Sequence, residues 1–441
     1  MKLEINGQVV VASPGDSIYR AAKRAGIDIP GLCTSDHLAP FGSCRLCLCE
    51  VQGQSGTPAS CTTPARDGMV VHTESERLSR LRKHLTELYL SEQPAGDRVP
   101  EPLQALAGSY GLTHVRYPQP ASRAPVVDRS NPFFVFDNAV CISCARCVRA
   151  CDEIQGTHAL TMLYRGFASR PTAGDAALSG EAGGFASSNC VSCGACAKEC
   201  PTGALIEKTV LEEGAPVHAV RTTCAYCGVG CSFEAGVRGG QVVRMLPAAD
   251  GPSNHGHACM KGRFGWTYNY APDRLRRPLL RQGDKWVELS WTAALDRIAE
   301  EWSRIKEAHG PDALATISSS RGTNEENYLF GKFMRCVIGS NHIDNCARVC
   351  HSATVTGMME TLGASAATNS IDDLDLAKLI LVVGANPTES HPVLGARIKQ
   401  AVRRGVSSSA PAWAPASSSR PGAPPSPAGP AAGAPGPSWD R

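Results

Sequence analysis

Apolar and polar positions alternate at the start of the chain, over Leu3-Glu4-Ile5 and again over Gln8 to Val11, with Asn6-Gly7 between them. Alternation marks half-buried strands, and Asn-Gly supplies the residues a tight hairpin turn requires. The period then changes. Asp16 is expected to cap a helix running through Ala21, Ala22 and Ala25 to Gly26. Leu78, Leu81, Leu85 and Leu88 recur at helical spacing over about 76–90, and a Pro- and Gly-containing connector follows to about 130. From Ser290-Trp291 the pattern becomes α/β. A helix at 292–308 leads to the apolar run Ala313 to Ile317, a loop at Ser318-Ser319-Ser320-Arg321-Gly322, and another helix. Leu379-Ile380-Leu381-Val382-Val383 has the composition of a buried parallel strand. It ends in Gly384-Ala385-Asn386-Pro387-Thr388, followed by a helix to about Arg404.

Two stretches break this order. Residues 166–188 are rich in Gly, Ala and Ser and read as a surface loop. From Val406 to Arg441 the chain is almost entirely Ser, Ala, Pro and Gly, which cannot bury a core, so 406–441 is expected to be a disordered tail. It begins where a doubly wound domain needs an apolar strand, yet the sequence there is Ser407-Ser408-Ser409-Ala410-Pro411. A natural flexible tail is one reading. A shift of reading frame near codon 405 is the other, and it is preferred because the fold is cut mid-domain.

Composition narrows the class. A formal charge of +3 over 441 residues carries no nucleic-acid footprint. No charged segment followed by an apolar stretch opens the chain, and the longest apolar runs are too short to insert in a membrane. Twenty cysteines in so large a protein fit metal ligation in a reducing cytoplasm better than disulfides.

Sixteen of the twenty fall into four sets. Cys33, Cys44, Cys47 and Cys61 have a spacing close to the plant-type [2Fe–2S] pattern, with the small residues Gly31, Gly42 and Ser43 where backbone must wrap a cluster. Cys141, Cys144, Cys147 and Cys151 form a run that recurs as Cys190, Cys193, Cys196 and Cys200 before Pro201, the pattern of two-cluster ferredoxins. Cross-over is expected, with Cys200 completing the first run and Cys151 the second. Cys224, Cys227 and Cys231 with the distant Cys259 form the fourth set. Cys49 and Cys336 fit none and are expected to be buried small hydrophobes, and His84 is expected to be structural.

The first region, 1–85, resembles a β-grasp [2Fe–2S] ferredoxin. The order of sets, followed by Met260-Lys261-Gly262-Arg263, resembles the large catalytic subunit of cytoplasmic, NAD-linked, molybdenum- or tungsten-containing formate dehydrogenases. The resemblance covers nearly all of 1–405, under about half of that family's subunit. It implies a multidomain α+β and α/β chain: the ferredoxin-like 1–85; a helical linker at 86–130; a two-[4Fe–4S] ferredoxin-like module at 131–212; a molybdopterin oxidoreductase [4Fe–4S] domain at 217–275; and an incomplete molybdopterin-binding α/β domain at 276–405.

In Asn345-Cys346-Ala347-Arg348-Val349-Cys350-His351-Ser352, the resemblance makes Cys350 the metal ligand and His351 its catalytic neighbour. A soft thiolate suits Mo or W between dithiolenes, and an imidazole can take up a proton. Cys346 is the competing choice, set aside because Cys350 directly precedes His351. Lys261 is expected between the last cluster and a pterin, and Gly384, Asn386, Pro387 and Thr388 against a guanine dinucleotide arm. The cofactors implied are one [2Fe–2S], three [4Fe–4S] and Mo (or W) bis-molybdopterin guanine dinucleotide. The partners implied are a flavin/NAD-binding beta subunit and a small [2Fe–2S] gamma subunit, with formate as substrate.

Two departures accompany the resemblance. Relatives commonly hold another cluster with a histidine and three cysteines where this chain reads Glu92 to Pro100 without a ligand, so the route to the [2Fe–2S] site must span the gap or bypass it. The family's substrate-anchoring arginine would fall beyond residue 405. A non-catalytic electron-transfer subunit, resembling the large iron–sulfur subunit of NADH:quinone oxidoreductase, is the alternative.

Overall fold

Asn6 and Gly7 both take positive φ (52° and 81°), which closes a hairpin between strands Lys2–Ile5 and Gln8–Val11 in the register Ile5 opposite Gln8. The computed structural model describes residues 1–94, 98–117, 126–174 and 184–409. Strand Val70–His72 adds parallel to the first strand, and Glu50–Val51 adds antiparallel to it. The helix Ile18–Arg24 lays Ile18, Ala21 and Ala22 against Leu3, Ile5 and Val10 in one core. Its cap is Ser17, whose hydroxyl accepts from Arg20 N–H, and not Asp16. The Asp16 carboxylate is already occupied by Ser13 N–H and the Arg24 guanidinium.

The helix Glu76–Ser91 departs from a simple leucine stripe. Leu78 is buried, but Leu88 is exposed, and Arg82, Thr86 and Glu87 are buried. Those polar groups are satisfied. Arg82 donates to the carbonyls of Leu46 (2.9 Å) and Leu48 (2.6 Å), in the first cysteine loop. Glu87 accepts from the Arg116 guanidinium at 2.6 Å. The connector supplies a second helix, Glu101–Ser109, whose Leu103 is fully buried against Leu32, Leu46 and Ile142.

In the next region Phe134–Asp137 pairs with Val127–Asp128 on one side and Leu205–Glu207 on the other. The segment expected as a surface loop is more ordered than its composition implies. Strand Arg170–Ala173 pairs with Leu160–Leu163, and Phe185 inserts edge-on against Phe134 at 5.0 Å. A single aromatic supplies the burial that the surrounding Gly, Ala and Ser cannot. Its residues 175–183 lie outside the described residues.

Strands His218–Thr223, Ser232–Arg238 and Gln241–Pro247 form an antiparallel sheet that carries the fourth cysteine set at one end. The α/β region follows. Helix Trp291–His309, capped by Ser290, precedes strand Thr316–Ser318, which pairs parallel to Ile343–Asn345. Leu379–Leu381 is parallel to Ser407–Ser409, so the disorder expected from 406 does not hold for Ser407–Ser409; the tail from 410 lies outside the described residues. A ladder is made by backbone N–H and C=O groups, so serines can extend it. Leu379–Leu381 is not the buried strand expected: Ile380 is buried while Leu379 and Leu381 are exposed, because no helical layer covers both faces. Helix Pro392–Arg403 docks this region on the cluster modules, with Gln400 Nε2 donating to Glu153 O and Ile154 O and Arg403 donating to Asp152 O. No helix among the described residues is long and apolar enough to cross a membrane.

Candidate redox centres

Cys33, Cys44, Cys47 and Cys61 are each almost wholly buried, Cys47 and Cys61 in the first core and Cys33 and Cys44 in the adjoining cluster with Leu32 and Leu46. Cys44 and Cys61 thiols hydrogen-bond to Cys33, which pulls the Cys33 thiol down and pushes Cys44 and Cys61 up. Leu32 N–H points at Cys44 Sγ (3.4 Å). Cys49 is buried outside this quartet, as expected, with its thiol pushed up to about 12 by burial. Cys336 is exposed, contrary to expectation, because the helical turn carrying it is packed on one side only.

The two repeated runs fold alike. Ser143 and Ala145 in one, and Ser192 and Gly194 in the other, take left-handed φ between 51° and 74°, which curls each C-x2-C-x2-C segment around a centre. Cys141, Cys144, Cys147 and Cys200 line one cavity of about 300 Å³, and Cys151, Cys190, Cys193 and Cys196 line another of about 300 Å³. Each run thus surrenders its last cysteine to the other. Backbone N–H groups point at the sulfurs: Ser143 at Cys141 (3.3 Å), Ala159 at Cys151 (3.1 Å), Ser192 at Cys190 (3.4 Å) and Leu205 at Cys200 (3.4 Å). Burial pushes Cys144 and Cys193 up to about 12, and Cys147 and Cys196 well above the usual thiol range. As bare thiols these groups are neutral at pH 7, so iron must displace their protons.

The fourth set stands at the junction with the α/β region. Cys224, Cys227, Cys231 and Cys259 share a cavity of about 360 Å³ with Lys261, Phe233, Ser390, Pro392 and Val393. Gly262 lies against Cys224, where a Cβ would come within 3.2 Å of its sulfur. Among the described residues no three His, Cys, Asp or Glu side chains converge closely enough for a single metal ion. Cysteine quartets at these spacings suit multi-iron clusters.

The connector's lack of ligands leaves no break. Cys33 and Cys44 share one buried apolar cluster with Cys144, and Arg149 reaches across to donate to Cys33 O (2.6 Å). The first quartet therefore abuts the second directly.

Toward the α/β region, Lys261 Nζ donates to Glu389 O (3.4 Å). Gly384 takes φ 61° at the end of its strand, Pro387 opens the short helix Pro387–Ser390, and Thr388 Oγ1 donates to Asn386 Oδ1 (2.6 Å). Cys350 and His351 are exposed at the break between helices Ala347–Cys350 and Ser352–Leu362, beside Val349, which is 93% exposed. Cys346 lies on the same turn, but its sulfur is engaged by the Ser320 hydroxyl (3.3 Å) and the Ser320 N–H (3.1 Å), which lower its pKa. Arg321, which sequence patterns placed only in a loop, donates to Tyr226 O (2.6 Å) and Ala225 O (3.1 Å) and so ties the Cys224–Cys227 turn to the α/β region.

Four clustered thiol quartets, the last adjoining the α/β region, are the ligand sets of an iron–sulfur oxidoreductase. Family comparison specifies which. Residues 1–76 match the 2Fe-2S iron-sulfur cluster binding domain, 140–204 the 4Fe-4S dicluster domain, 217–271 the molybdopterin oxidoreductase Fe4S4 domain, and 274–413 molybdopterin oxidoreductase. The chain thus carries 2Fe-2S, 4Fe-4S and molybdopterin oxidoreductase domains. It is 32% identical over 454 residues to the Bacillus subtilis protein named "Probable oxidoreductase YjgC", and 31% identical over 446 residues to a Staphylococcus aureus (strain USA300) protein provisionally named a formate dehydrogenase. Each match covers 90% of this chain and 44% of the relative, so the chain spans under half the length of these relatives. A chain of the NAD+-reducing [NiFe]-hydrogenase, crystallised in the H2-reduced state, is 33% identical with a TM-score of 0.42, covering 47% of this chain and 87% of that one.

Proposed function

We propose that the chain is the cluster-bearing, pterin-entry part of a formate dehydrogenase large subunit. One observation carries this reading: the cavity lined by Cys224, Cys227, Cys231 and Cys259 is lined also by Lys261 and by Ser390, Pro392 and Val393 of the α/β region. The last cluster site thus adjoins the pterin loop.

In this reading Cys33, Cys44, Cys47 and Cys61 hold a [2Fe–2S] cluster and the other three quartets hold [4Fe–4S] clusters. Lys261, Gly384, Asn386, Pro387 and Thr388 bind the bis-pterin guanine dinucleotide, and Cys350 ligates its Mo or W. That bound centre supplies the two-electron oxidation of formate, which yields carbon dioxide, one proton and two electrons. His351, solvent-accessible beside Cys350, takes up the proton. The Lys261 ammonium offsets the negative charge of the two anionic groups it stands between. Electrons leave singly through the quartets in the order of their contacts, toward a flavin/NAD-binding beta subunit and a small [2Fe–2S] gamma subunit in the cytoplasm.

Anaerobic reconstitution of the chain is expected to load about 14 iron atoms, from one two-iron and three four-iron centres. Marked substoichiometry would remove one or more of these ligand sets. In the assembled enzyme, Cys350→Ala is expected to abolish formate oxidation while leaving the clusters reducible by dithionite. Retained turnover would overturn the assignment, and an assembled enzyme with iron but no Mo or W would favour a pure electron relay.

A further inference from the structure

Lys261, Gly262 and Arg263 occupy successive positions, about 100° apart, on the short helix Met260–Phe264 that begins at Cys259. They face three ways. Lys261 reaches Glu389 in the pterin-side loop, and Gly262 lies on Cys224. Arg263 turns to the ferredoxin-like module, and nothing in the proposed function uses it. At 1% exposure it is among the largest fully buried side chains of the protein.

Its surroundings are unusual for a salt bridge that only joins two segments. Arg263 Nη2 donates to Glu207 Oε1 at 2.5 Å, and Arg244 Nε approaches the same oxygen at 3.4 Å. Glu207 is itself buried, so two guanidinium groups, Arg263 buried and Arg244 half-buried, share one carboxylate and the trio carries a net positive charge. Arg263 Nε is buried with no hydrogen-bond partner. The side chain is admitted by Gly194, between Cys193 and Cys196, where a Cβ would meet Arg263 Nε and Phe264 Cζ at 3.0 Å each. Gly194 also lines the cavity of the third quartet. A well-packed apolar pair could join the two segments without burying charge.

We propose that Arg263 is a positioning residue for electron flow: its fixed positive charge stabilises the reduced state of the cluster held by Cys151, Cys190, Cys193 and Cys196. One electron leaves the reduced cluster of Cys224, Cys227, Cys231 and Cys259 and reduces the oxidised cluster beyond Gly194. No proton moves, because a guanidinium stays charged. Nearby charge is among the factors that set cluster potentials, and a cation on this side draws electrons away from the pterin. The inference rests on the cluster assignment above.

The test is an EPR-monitored redox titration of the full reconstituted chain, with the third-quartet signal identified by its loss in Cys193→Ser. Arg263→Met is expected to lower the equilibrium constant for that transfer about tenfold, which is about 59 mV for one electron. Arg263→Lys should stay near the wild type. Glu207→Gln, which leaves two cations unopposed, should shift the potential the opposite way. An unchanged potential in Arg263→Met with full iron content overturns the proposal, as does a shift of the same sign in Arg263→Met and Glu207→Gln. If Arg263→Met fails to hold the cluster, Glu207→Gln decides alone: a rise supports the proposal and no rise overturns it. A wild-type chain with no cluster in the third quartet would instead defeat the functional reading.

Discussion

Replacing Arg82 by Met isolates what a buried cation does for the first cluster site. Arg82 is 5% exposed and spans the carbonyls of Leu46 and Leu48, which flank Cys47. Met fills much of the same volume but donates nothing, so two buried carbonyls lose their partners. Each orphaned group costs about 1–3 kcal/mol, for a combined loss of about 2–6 kcal/mol. Against a typical domain stability of about 5–15 kcal/mol this is severe. With a urea slope of about 1 kcal/mol/M for a domain of this size, the midpoint should fall by at least about 2 M. The assay is urea titration of the reconstituted chain, followed by the visible circular dichroism of the [2Fe–2S] site. Arg82→Lys should recover only part of the loss, since an ammonium cannot span two carbonyls as a planar fork does. A midpoint within about 0.3 M of wild type, a loss of roughly 0.3 kcal/mol at that slope, would refute the reasoning.

Two further outcomes follow from local geometry. Gly262→Ala places a Cβ 2.8 Å from Phe233 Cζ and 3.2 Å from Cys224 Sγ, and Phe233 is too buried to swing aside. Iron analysis should show about four irons lost, with the other three clusters intact; full iron content would contradict the close packing. Arg116 holds Glu87 down at about 2 from its ordinary value of 4.5. A depressed carboxylate stabilises the fold above its unfolded pKa, so this contribution should be complete above about pH 4.5 and vanish as pH falls toward 2. Arg116→Ala should remove that pH dependence, and parallel unfolding midpoints for the two proteins from pH 5 to 2.5 would count against the pairing.

Much of the site could be read along the chain because cluster ligands are local. A C-x2-C-x2-C segment wraps its own centre, so three of four sulfurs are near neighbours in sequence, and the turn at Asn6-Gly7 was likewise written in two adjacent residues. Ser17 was missed as the helix cap because Asp16, the stronger candidate by type, is claimed by Arg24 eight positions on. The leucine stripe misled for a similar reason: Arg82 and Glu87 are inside because distant carbonyls and Arg116 meet them there, while Thr86 donates to Arg82 O on its own helix.

Residue order alone displayed four thiol quartets and the spacings from which their clusters are proposed, since soft-ligand chemistry and short spacing leave few alternatives. Folding decided how the relay is joined. The contact of Cys33 and Cys44 with Cys144 across the ligand-free connector joins segments about a hundred residues apart. The three-way helix Met260–Phe264 joins the fourth quartet to both the Glu389 loop and the third quartet. The cation at Gly194 likewise comes from a residue far along the chain. Such contacts are set by the packing of whole modules, and charge or burial at a distance has no periodicity for a sequence to display.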